Sequence, residues 1–90
     1  MLHFIDLAKK SKNEIAVACQ KSIEGGVIDP SLLGAALETM GYTATETPGE
    51  KHGKWVEVKK GGAVVANGFG PDTNEAFLAA IKAYLIEDSR

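Results

Sequence analysis

A second cysteine is missing from this chain of 90 residues, so the lone Cys19 cannot close an internal disulfide, which fits a reducing compartment. Its apolar neighbours favour a small buried helix residue over a reactive thiol. No apolar run reaches the roughly 18 residues that a membrane-spanning helix needs. The opening MLHFIDLAKK carries its lysines after the apolar patch, the reverse of a signal peptide, and a cytoplasmic protein is expected. Excess positive charge is lacking too. Ten lysines and arginines against 12 acids leave a net charge of -2, which excludes a surface built throughout for polyanions and allows only a local patch. The two histidines, His3 and His52, have no Cys/His spacing around them, so no metal is expected. Gly68-Phe69-Gly70 precedes a helix but lacks the lysine and spacing of a nucleotide loop, so it reads as a turn, and no cofactor is expected. No nucleophile, base and orienting group stand in a recognisable set, and the chain does not read as an enzyme.

What remains is an ordinary globular composition, 44% apolar and 24% charged, at a length that suits one domain. Ser11-Lys12-Asn13-Glu14 has capping-box spacing. The helix it opens places Ile15, Ala18, Cys19 and Ser22 on one side and stops at Gly25-Gly26. Leu2 to Lys10 either extends that helix or forms a separate turn. Asp29-Pro30 starts a second helix, with Leu32, Leu33, Ala36, Leu37 and Met40 on its apolar face and Gly41 at its end. From Tyr42 the period becomes two: Tyr42 to Thr47, Trp55 to Lys59, then Ala63 to Asn67 after a Gly61-Gly62 turn. Asp72 caps a last helix, with Glu75 at the partner position and Phe77, Ala80, Ile81, Tyr84 and Leu85 facing inward. The expected fold class is α+β: an αβββα domain over 29-90 with a three-stranded antiparallel sheet and helices on one face, and an N-terminal helical extension over 1-28.

Tyr42, Gly49, His52, Val56-Glu57-Val58, Gly61-Gly62, Gly68, Gly70, Glu75-Ala76 and Ala79-Ala80 hold a joint register without a gap. Through these residues about two-thirds of the chain, from Asp29 onward, resembles a double-stranded-RNA-binding domain. The resemblance implies three contacts with duplex RNA, in two minor grooves and on the phosphates between them. Its first helix corresponds to Ser31, Gly34, Ala35, Glu38 and Thr39, of which Glu38 is a family-type contact. Its loop corresponds to Gly49-Glu50-Lys51-His52-Gly53-Lys54, with Glu50 where the family has proline. The third contact departs from the pattern, because Thr73, Asn74 and Phe77 stand where the family places lysines, beside Asp72 and Glu75. Losing three phosphate contacts costs affinity on the order of a hundredfold or more at moderate salt.

Lys51, His52, Lys54, Trp55 and Lys59 are the candidate binding residues. Trp55 alternates away from Val56 and Val58. It is either an interface anchor on the open sheet face or is returned to the core by a β-bulge or covered by the N-terminal helix. The favoured expectation is a non-catalytic protein-interaction module on this RNA-binder-like fold, with a protein partner and a homodimer among its possible assemblies. A weak double-stranded RNA or DNA binder working through residues 49-54 is the alternative. A small phage-encoded accessory or inhibitor protein acting on host machinery is a third, by general style alone.

Overall fold

The computed structural model describes residues 13–48 and 53–88. Helix starts follow local chemistry. Helix α1 (Glu14–Lys21) begins at Asn13, whose side chain accepts the Ala16 N–H at 2.8 Å. Ser11, the expected cap, and the segment Leu2 to Lys10 lie outside the described residues. Serine and asparagine are near-equivalent caps, so spacing did not separate the two positions. At the other end the Ser22 hydroxyl donates to the Ala18 carbonyl at 2.7 Å, and its N–H donates to that of Cys19.

Gly25-Gly26 does not stop this helix, contrary to the sequence expectation. The two glycines, with φ of 63° and 81°, turn a small hairpin in which β1 (Ile23–Glu24) pairs antiparallel with β2 (Val27–Ile28). Strands of two residues are too short to display alternation, and a glycine pair serves a helix end and a tight hairpin equally well. The Asp29 N–H then donates to the Ser22 carbonyl at 2.8 Å, tying the hairpin to the end of α1.

Helix α2 (Pro30–Thr39) starts as expected. The Asp29 carboxylate accepts from the Ser31 and Leu32 N–H groups, and Pro30 occupies the first turn. Leu33 and Leu37 are buried and Ala36 and Met40 partly so, but Leu32, assigned to the same face, is exposed.

The sheet has the order β3 (Tyr42–Pro48), β4 (Lys54–Lys60), β5 (Ala63–Gly70), antiparallel throughout. Gly61 and Gly62, at φ of 60° and 83°, supply its two-residue turn. Alternation along β4 sends Val56 and Val58 under the helices and Trp55, Glu57 and Lys59 to the opposite face. One irregularity interrupts the β4–β5 register: Val58 pairs with Ala66 and Lys59 with Val64, which leaves Val65 as the extra residue of a bulge.

Strand β5 runs beyond the expected Asn67, and Gly68-Phe69-Gly70 is strand, not turn. Helix α3 (Thr73–Asp88) crosses so closely there that a Cβ on Gly68 would come within 2.7 Å of the Ala76 carbonyl oxygen, and one on Gly70 within 2.6 Å of the Ala76 nitrogen. The glycines serve a close approach of backbones. Asp72 caps α3 as expected, accepting the Glu75 N–H at 2.9 Å. The buried face of α3 is Ala76, Phe77, Ala80, Ile81 and Leu85, with Tyr84 partly covered.

The hydrophobic core joins Ile15, Ala18 and Cys19 of α1 to Leu33 and Leu37 of α2, the sheet valines, and Ile81 and Leu85 of α3. The molecule is therefore α+β in αβββα order, with helices on one face of a three-stranded antiparallel sheet. Helix α1 and a two-stranded hairpin come before that unit.

Candidate functional site

The lysines of the expected binding set do not form a cluster where the structure describes them. Lys51 and His52, with Gly49 and Glu50, lie outside the described residues. Lys54 shares the helix-side face of β4 with Val56, and its Nζ is 3.3 Å from a carboxylate oxygen of Glu46 on β3. Lys59 lies on the opposite face, 3.8 Å from Glu57 two residues earlier on the same strand. Lys60, outside the expected set, reaches Glu14 of α1 at 3.1 Å and sits 4.7 Å from the centre of the Tyr42 ring. Each of these three lysines faces a carboxylate.

The titration shifts follow from those pairs. Glu46 is held below the ordinary carboxylate value, first by a hydrogen bond from the Thr73 side chain and then by Lys54. Lys60 is raised, chiefly by its hydrogen bond with Glu14. Tyr42 is raised too, by burial first and by the Glu14 charge second. Cys19 is buried in the core, where loss of hydration pushes its thiol up to about 12.

Trp55 is half-buried on the sheet face away from the helices. Its register is unbroken, with Thr47 opposite on β3 and Phe69 opposite on β5. The bulge lies three residues on and does not turn the indole toward the core. Phe69 is 49% exposed, and its ring lies over Gly53, where any Cβ would collide with it. Behind this first row come Thr45, Glu57 and Asn67, and then Thr43, Lys59 and Val64. The Thr45 and Thr47 hydroxyls lie 3.5 Å from the Glu57 and Trp55 carbonyls. Phe69 and Val64 were missed from sequence. Reading Gly68 and Gly70 as strand would have exposed the alternation that pairs Phe69 with Trp55.

The contacts implied by the resemblance are distributed as follows. Ser31, Ala35, Glu38 and Thr39 lie exposed on α2, with Gly34 partly so, and the Thr39 hydroxyl is engaged by the Ala36 carbonyl at 2.7 Å. At the start of α3, Thr73 and Asn74 are exposed, whereas Phe77 is buried and faces the core. A groove of about 170 Å³ opens between the beginnings of α2 and α3, lined by Pro30, Gly34, Ala44, Val56, Thr73 and Phe77. Thr45, Glu46 and Asn74 also border it.

Five carboxylates are occupied structurally. Asp29 and Asp72 cap helices, and Glu14, Glu46 and Glu57 hold lysines. Among the described residues no three His, Cys, Asp or Glu side chains converge as metal ligands, and no helix is long and apolar enough to cross a membrane. The chain matches no protein-family model, no curated protein and no solved structure.

Proposed function

We propose that this protein is a non-catalytic interaction module in the cytoplasm, built on a fold like that of the double-stranded-RNA-binding domains but with little remaining affinity for duplex RNA. The observation that carries this reading is the pairing of Trp55 with Phe69 on the sheet face that the helices leave open. A large aromatic pair with polar neighbours is the composition of a protein-binding anchor rather than of a phosphate-binding surface.

Electrostatics supports the same reading. Affinity for duplex RNA comes mainly from cations that displace counterions from phosphates. Lys54, Lys59 and Lys60 face carboxylates, and the first turn of α3 offers Asp72 and Glu75 to an approaching phosphate. The Asp72 carboxylate already occupies a free N–H of that turn, so the helix dipole has less to offer an anion.

A photo-crosslinking residue at Asn67, exposed on the open face and away from β3, tests the reading in cells that carry the protein. The expected product is a discrete protein adduct that disappears in the Trp55→Ala/Phe69→Ala double variant. A parallel titration with duplex RNA at two salt concentrations should show weak binding. Tight capture that falls steeply with salt and vanishes in Lys51→Glu/Lys54→Glu would overturn the reading.

A further inference from the structure

Among the described residues, the outer edge of β3 is open. This strand ends the sheet, spans seven residues, and is exposed from Thr43 to Pro48. Sheet edges are ordinarily blunted by lysines, bulges or a covering element. Strand β3 carries no lysine, its register with β4 is continuous, and its single proline is the last residue. The bulge of this sheet lies between β4 and β5, away from that edge.

The groove lies directly beside that edge. Side chains of an added strand alternate as those of β3 do, so a residue paired with Ala44 or Glu46 projects to the helix side, over the groove. Its floor and walls are mostly apolar, and about 170 Å³ is room for a branched aliphatic side chain. Its surroundings are acidic. Glu46 borders it, Asp29 adjoins Pro30, and Asp72 and Glu75 flank Thr73 and Asn74, with Lys54 as the cation paired to Glu46. The Glu46 carboxylate, 3.3 Å from the Lys54 Nζ, keeps acceptor capacity for another donor.

We propose that β3 and this groove receive an extended segment of a partner protein as an added antiparallel strand. A lysine or arginine of that segment pairs with Glu46, and an aliphatic residue two positions later enters the groove beside Ala44. Main-chain hydrogen bonds supply the general attraction and the two side chains the selectivity. This inference rests on the interaction-module reading and adds the chemistry of the partner to it.

The test is a titration of the isotope-labelled full chain with the blocked peptide Thr-Lys-Thr-Leu-Thr-Ser, followed by nuclear magnetic resonance. The expected result is a shift of the Thr43 to Thr47 amides and of the Val56 and Phe77 side chains. Replacing the peptide leucine by glycine should weaken binding about tenfold, the worth of burying one aliphatic side chain. Gly34→Leu should weaken it by a similar factor by filling the groove. A Cβ at Gly34 meets nothing within 4 Å, and circular dichroism checks that the variant keeps its fold. Glu46→Gln should reduce the preference for the lysine peptide over one carrying glutamate.

Four results would overturn the proposal: no shift at millimolar peptide, shifts centred on Trp55 and Phe69, indifference to Gly34→Leu, or equal binding of the glutamate peptide. Concentration-dependent protection of the β3 amides in the free protein would also overturn it, because a second copy would then occupy the edge. None of these outcomes decides the crosslink at Asn67, so failure here is separable from failure of the broader reading.

Discussion

At the scale of single residues, the side chains that cap and the side chains that pack behave differently. Asn13, Asp29 and Asp72 act on N–H groups two or three positions away, so local sequence suffices to find them within a residue or two. Cys19 depends on its surroundings. With its thiol raised from an ordinary 9.0 to about 12, it should resist alkylation in the folded protein at pH 8 and react once the chain is denatured. Below pH 9 both states keep the proton and the whole effect is present. Above it the unfolded chain releases the proton while the folded one holds it, so stability declines toward pH 12 by up to about 1.4 kcal/mol per pH unit. Denaturant melts of Cys19→Ala should show a shallower decline over that window. The glycines make a similar contrast. Gly68→Ala drives a methyl against the backbone of α3 and should cost about 1–3 kcal/mol in a denaturant melt. Gly53→Ala meets only the movable Phe69 ring, so it should cost less and alter Trp55 fluorescence instead.

Whole elements show where periodicity serves and where it fails. Helix α2, strand β4 and helix α3 announce themselves because each buries one face and repeats its pattern over several turns or pleats. The β1–β2 hairpin and the end of β5 do not, because the first is shorter than one repeat and the second is written in glycine. The candidate site shows the same division. Trp55 stands out as the lone tryptophan in an alternating run, but its partner Phe69 was hidden between glycines that resemble a turn. Helix α3 carries the electrostatic argument at this scale. Thr73→Lys/Asn74→Lys adds two cations at exposed positions of its first turn, leaving the buried Phe77 untouched. Duplex RNA affinity should rise about tenfold or more near 50 mM salt, and the gain should fade as salt increases. A filter-binding series at three salt concentrations reads both effects.

For the molecule as a whole, the main question is how α1 relates to the αβββα unit that follows it. Ile15, Ala16, Ala18 and Cys19 have no exposed surface, and Lys60 joins Glu14 to the sheet. The ion pair itself is exposed and screened by solvent, so the packing of α1 carries the attachment. Ile15→Ala should therefore destabilise the entire domain by about 2–5 kcal/mol. Helical circular dichroism and Trp55 fluorescence should still report one coincident transition. Two separate transitions would mean that the N-terminal helix folds independently of the sheet.

By itself the sequence determined the αβββα order, most caps and the lack of excess positive charge, since all of these depend on neighbours along the chain or on composition. Tertiary structure alone decided that Gly68 and Gly70 are a crossing point, that lysines meet glutamates across strands and from helix to sheet, and that Phe69 stands beside Trp55. It also decided that, among the described residues, β3 keeps an open edge next to an apolar groove. Those facts are distances between segments remote in sequence, and periodicity within one segment carries no information about what lies opposite it.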